Sequence, residues 1–113
     1  MEENKPKGSA DHPLTETLAR KILVDLAENN TGQIRWSRHV KMRMIERGIT
    51  SRQILTVLKS RHSVFWEGPF EAINGDWKLN ISGMAAGTII QVTLAIENFR
   101  DDPAAVVVTV WIE

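Results

Sequence analysis

Thr88-Ile-Ile-Gln-Val-Thr-Leu-Ala-Ile-Glu97 and, a few residues later, Ala104-Ala-Val-Val-Val-Thr-Val-Trp-Ile112 are the stretches whose reading decides the class of fold. In the first, Ile90, Val92, Leu94 and Ile96 recur every second residue; in the second, Val106, Val108, Val110 and Ile112 do the same. A period of two is the signature of a strand, because successive side chains point to opposite faces. The intervening positions, Gln91, Thr93, Thr109 and Trp111, are chemically mixed, as expected of a sheet that helices cover on one side only. These two strands are expected at the centre of that sheet. The link between them, Asn98 to Pro103, reads as a polar turn.

Moving toward the N-terminus, the run Trp77, Leu79, Ile81 alternates in the same way, and Asn74-Gly75 before it suits a type I′ hairpin turn. Val64 to Trp66 reads as a short strand. Before Arg61 the period is helical. Leu18, Ile22, Leu23 and Leu26 form a stripe that starts after Pro13 and stops at Asn29-Asn30-Thr31-Gly32. A second helix is expected to start at Ser37, a capping residue, and to end at Gly48, where a left-handed conformation is cheap. Thr50 and Gln53 then make a capping box, with Ile49 and Ile54 as its hydrophobic staple, ahead of Leu55, Val57 and Leu58. The resulting expectation is an α+β fold, three helices followed by an antiparallel sheet of about four strands, in a single domain over 13–113. Residues 1–12 offer almost nothing to bury and read as a flexible tail.

Charge is distributed unevenly along the 113 residues, although the formal net charge is zero. Between Arg35 and Arg61 lie eight basic side chains, Arg35, Arg38, Lys41, Arg43, Arg47, Arg52, Lys59 and Arg61, against the single acid Glu46. From Ser63 onward only Lys78 and Arg100 are basic, against seven acids. A concentrated basic segment is the electrostatic footprint of a phosphate-binding face. With no cysteine there are no disulfides and no thiolate metal sites, and no apolar run reaches the roughly 18 residues of a membrane span. The N-terminus carries no apolar core of an export signal. A soluble, cytoplasmic protein is expected, without cofactor or metal: His12, His39 and His62 share no ligand spacing. No glycine-rich phosphate loop, nucleophile elbow or dinucleotide fingerprint occurs, which sets those enzyme classes aside.

Within the basic block, His39, Arg43 and Arg47 are spaced i, i+4, i+8 and fall on one strip of the second helix, about 80° wide at ~100° per residue. A histidine there can move protons, and two guanidiniums can hold a phosphate and stabilise its transition state. The same residues could equally be a solvated boundary beside the apolar stripe of Val40 and Met44. Glu67 is a candidate general base and Lys78 a candidate acid, while Arg35, Trp36, Arg38, Lys41, Arg61 and His62 are candidate RNA contacts. Trp36 and Trp66 could stack bases, whereas Trp77 belongs to a core-facing run.

The stretch Ser37-Arg-His-Val-Lys-Met-Arg-Met-Ile-Glu-Arg-Gly-Ile-Thr-Ser51 resembles the signature of a family of small bacterial domains of unknown function, with a His, an Arg-Met and an Arg-Gly-Ile at this spacing. Pro13-Leu14-Thr15, Asn74-Gly75-Asp76-Trp77 and the final Val106 to Trp111 extend the likeness over most of the chain. That family is similar in fold to the RelE, ParE and MqsR toxins of bacterial toxin and antitoxin pairs, which cleave RNA without a metal or, for ParE, poison a gyrase. The resemblance marks His39, Arg43 and Arg47, and it implies an antitoxin protein as partner. RelE-like ribonucleases often use a tyrosine, and this chain has none. The functional expectation is a toxin-type, metal-independent endoribonuclease acting on RNA, possible also at the ribosome, by attack of the 2′-OH on its own phosphodiester. The alternatives are a noncatalytic RNA-binding module and a protein-interaction domain, including a homodimer.

Overall fold

The computed structural model describes residues 13–113, so the expected tail at 1–12 lies outside the described residues. The elements run α1 (Glu16–Asn29), a 3-10 turn (Thr31–Gln33), β1 (Ile34–Trp36), α2 (Arg38–Arg47), α3 (Ser51–Lys59), β2 (Val64–Glu71), β3 (Trp77–Ala85), β4 (Thr88–Glu97) and β5 (Ala104–Ile112). Each helix begins where its capping residue stands. Thr15 Oγ1 accepts from the Leu18 N–H at 3.1 Å, and Ser37 Oγ accepts from the Val40 N–H at 3.0 Å. At α3, Thr50 Oγ1 accepts from the Gln53 N–H at 3.1 Å while Gln53 Oε1 accepts from the Thr50 N–H at 2.8 Å, a closed capping box. Gly48 ends α2 at φ 67°, the left-handed conformation expected of it.

The class is α+β, but the sheet is mixed rather than antiparallel and has five strands, in the order β1-β5-β4-β3-β2. The additional strand is β1, which precedes α2 and pairs in parallel with β5, Ile34 opposite Ala105 and Trp36 opposite Val107. The expected sequence of helices first and strands last is corrected accordingly. β2 continues to Glu71, beyond the expected Trp66, through two irregularities of register. The type I′ turn is also elsewhere. Asn74 has no positive φ; Gly75, at φ 91°, closes a turn by donating to the Ala72 carbonyl at 2.9 Å. Ala86 and Gly87, at φ 53° and 78°, form the two-residue turn between the paired Ala85 and Thr88.

One face of the sheet is the core. Leu79, Ile81, Ile90, Val92, Leu94 and Ile96 are fully buried there, joined by Ile54, Val57 and Leu58 of α3. Burying each such side chain contributes about 1.5–3 kcal/mol. Helix α3 packs on β3, α1 on α3, and α2 along β5. In β5 the expected face is only partly right: Ala105, Val107 and Val110 are buried, while Val106 and Val108 are not. Thr93 pairs with Thr109 and Leu94 with Val107, so Val108 is an extra residue. One such bulge shifts the alternation by one and exchanges the faces on either side of it. In α1 the stripe is Ala19, Ile22, Leu23, Leu26 and Ala27, with Leu18 at its rim, 39% exposed. Trp77 is buried as expected and meets Phe99 edge to face, ring centroids 6.0 Å apart.

Candidate nucleic-acid interface

Ser37 ends β1 and starts α2, and it fastens both to β5. Its N–H donates to the Val107 carbonyl at 3.1 Å, and its hydroxyl donates to the Val108 carbonyl at 2.9 Å while capping the helix. Nine residues on from Arg38, Arg47 Nη1 donates to the Val110 carbonyl at 3.1 Å. Beyond the point where β1 stops, the outer carbonyls of β5 thus take side-chain donors from α2. A helix laid along an exposed strand edge, with its polar atoms answered, removes a site of unwanted strand pairing. Val40 fills the contact, fully buried, with Met44 packed partly beneath.

This arrangement sorts the eight basic residues into two sets. Arg47 is held on the Val110 carbonyl, Arg43 pairs with Glu46 Oε1 at 2.7 Å, and Arg35 pairs with Glu97 across the sheet. Arg38 and Lys41 on α2, Arg52 and Lys59 on α3 and Arg61 in the turn to β2 are exposed, and none has an ion-pair partner among the described residues. The side chains of His39 and His62 are likewise exposed and without a hydrogen-bond partner among the described residues. The five spare cations run from the β5 edge, along α2, over α3 to the start of β2. Carried by two consecutive helices and the turn after them, they form a basic band in sequence, each exposed. Trp36, half-buried against the core, is a poor stacking platform; Trp66, 47% exposed on β2, is the accessible one.

Glu67 and Lys78 lie on the other side of the molecule's sheet, and the expected catalytic group is not brought together. Both sit on the face that no helix among the described residues covers, where Asn80 Nδ2 donates to Glu67 Oε1 at 2.7 Å and Thr93 Oγ1 donates to Asn80 Oδ1. β2 is three strands from β5, a separation of roughly 14 Å at ~4.8 Å per step, and α2 lies beyond β5. A proton relay between His39 and Glu67 across that distance is not available. The Thr93-Asn80-Glu67 chain had no signal in the sequence, since Asn80 stands 13 residues from each of its partners. Glu97 was equally unmarked, and Ser37 was legible as a helix cap but not as a link to β5, because those contacts are set by strand pairing.

Chemically, the band can bind a polyanion in many registers, and His39 and Arg43 are the two groups near it that could act on a bound phosphodiester. A concavity of about 840 Å³ lies elsewhere, between the end of α1 and the loop at Asp102 and Pro103. Among the described residues no helix is long and apolar enough to cross a membrane. Comparison with known proteins finds no matching family model, curated sequence or solved structure.

Proposed function

We propose that this domain is an RNA-binding protein of the RelE-like toxin kind, acting in the cytoplasm, which holds the phosphodiester backbone on the basic band of α2, α3 and the turn after it. The observation that carries the reading is the set of five exposed cations, Arg38, Lys41, Arg52, Lys59 and Arg61, left unpaired among the described residues while their neighbours are used by the fold. Spare positive charge of this density attracts polyanions and offers the counterion release on which their binding depends. RNA affinity measured across salt tests it. Five phosphate contacts at about −0.7 each give a logarithmic slope of about −3.5, so a tenfold rise in salt lowers affinity by roughly three orders of magnitude. A slope near zero, or no binding at low salt, removes the reading.

Cleavage is the second reading, favoured by the exposed imidazole of His39, without a partner among the described residues and one turn from Arg43. His39 would take the 2′-OH proton as that oxygen attacks phosphorus, Arg43 would meet the developing phosphorane charge, and the P–O5′ bond would break with the 5′-oxygen taking a proton from water, leaving a 2′,3′-cyclic phosphate and a 5′-hydroxyl. An exposed pair such as Arg43 with Glu46 is worth only about 0.2–1 kcal/mol, so a phosphate can displace the carboxylate. Arg47, Glu67 and Lys78 have no part in this version. Single-turnover cleavage without metal should fall by roughly 10² to 10⁴ in His39→Ala with RNA affinity kept. Cleavage that survives the substitution excludes His39, and a parent protein that binds without cutting leaves the first reading alone.

A further inference from the structure

Arg20 of α1 reaches the turn that joins α3 to β2 and holds it at both ends. Its Nη1 donates to the Ser60 carbonyl at 3.2 Å and its Nη2 to the Ser63 carbonyl at 2.7 Å, while the guanidinium lies over the Phe65 ring, 4.9 Å from its centroid. Between those two carbonyls stand Arg61 and His62, both exposed. The turn is fastened from within as well. Ser60 Oγ accepts from the His62 N–H at 3.1 Å, and the Ser63 N–H donates to the Ser60 carbonyl at 3.3 Å. Ser63 itself is buried and donates its hydroxyl to the Val57 carbonyl at 2.6 Å. Gly83 of β3 leaves the room for that hydroxyl, because a Cβ at this position would run into Ser63 Oγ.

We propose that Arg20 is a positioning residue for RNA, which fixes the turn over 60–63 so that Arg61 meets a phosphate without first having to be ordered. The inference rests on the RNA reading of the basic band. Four of the five spare cations sit on α2 and α3, where the helical hydrogen-bond ladder fixes the backbone beneath them. Arg61 has no such ladder. A turn left to itself loses backbone freedom when it binds, and that loss subtracts from affinity. With Arg20 in place the ordering is done at folding instead. The planar guanidinium suits this role, since its fork answers two carbonyls at once, whereas an ammonium is a single point of charge. Arg20 is not itself counted as a phosphate contact: its side chain is only 27% exposed, both Nη atoms are engaged on carbonyls, and Glu16 lies 4.0 Å from Nη2. The carbonyls it holds are 40 and 43 positions downstream, so the basic segment read by itself gives no sign of it.

The test is a cycle of variants of the full chain, titrated with single-stranded oligouridylate over a range of salt. Arg61→Gln should weaken binding by roughly fivefold at 0.1 M salt and lower the salt slope by about 0.7, the share of one contact. Arg20→Lys keeps the charge and gives up one of the two carbonyls, and it should weaken binding by roughly two- to fivefold. In the Arg61→Gln background the same Arg20→Lys change should weaken binding no further, a coupling that lost stability alone would not produce. Ser60→Ala frees the His62 N–H and leaves Arg20 in place. It should show the same dependence on Arg61 at a smaller size, and it decides the matter if Arg20→Lys melts below the temperature of the titration. A parent chain that binds no RNA removes the reading of the band and this inference with it. Where the parent binds, the positioning role alone is overturned, and the band kept, if Arg61→Gln or Arg20→Lys binds like the parent. The same holds if Arg20→Lys loses as much affinity without Arg61 as with it.

Discussion

Arg38 and Arg47 open and close the same ten-residue helix, and the fold treats them in opposite ways. Arg47 is spent on the Val110 carbonyl at the edge of β5, while Arg38 points no hydrogen bond at any described residue. What separates them is geometry rather than charge. The helix runs alongside β5, and only the turn that lies next to an unanswered carbonyl has a backbone partner to offer. A count of basic residues therefore overstates a binding face by those that the backbone has already claimed. The same division separates Arg35 and Arg43, each with a carboxylate, from Lys41, Arg52, Lys59 and Arg61.

A crossed pair of substitutions breaks this comparison if it is wrong. Arg38→Gln combined with Lys41→Gln should reduce the salt slope of RNA binding by about 1.4, two contacts at ~0.7, and leave stability within about 0.5 kcal/mol of the parent. Arg47→Ala should do the reverse. It strips a charge-assisted hydrogen bond from a partly buried carbonyl and should cost about 1–3 kcal/mol of unfolding free energy, with the salt slope unchanged. Arg47→Lys recovers part of that loss, since an ammonium can reach a single carbonyl without the planar fork. If Arg47→Ala lowers RNA affinity and not stability, the helix end is a phosphate site and the division fails.

How far the sequence could be read follows from the range over which each feature is determined. The caps at Thr15, Ser37 and Thr50 are local chemistry, a side chain and an N–H three residues apart, and their residues name them. β4 and β5 begin and end where the alternation does. β1 was invisible because three residues carry no period, and its partners lie about seventy positions downstream. The bulge at Val108 was invisible because a run of valines reads equally well in either register; only pairing with β4 decides which face is buried. The candidate site failed in the same way. The strip of His39, Arg43 and Arg47 is local, three positions on one helix, whereas its union with Glu67 and Lys78 needed the strand order, which places them on another face.

Two of the three hairpin turns of the sheet sharpen this contrast with the smallest effect. The type I′ geometry demands positive φ at both central residues, and asparagine followed by glycine meets it best. That dipeptide occurs at 74–75, where only Gly75 is left-handed and Asn74 instead accepts from the Asp76 N–H at 3.1 Å. The turn that does require two left-handed residues is occupied by Ala86 and Gly87. Alanine tolerates φ 53° poorly, because its Cβ crowds the following carbonyl. Asparagine visits that region more readily, so Ala86→Asn should stabilise the domain by about 0.5–1 kcal/mol, which raises Tm by roughly 2–8 °C for a domain of this size. Ala86 is exposed, so no packing changes with the substitution. A thermal melt of the variant that is unchanged or lower would mean that the β3-β4 connection is not held in this turn in solution. The register of Ala85 with Thr88, and with it the row of Ala95 and Lys78 on which the open face is built, would then need to be redrawn.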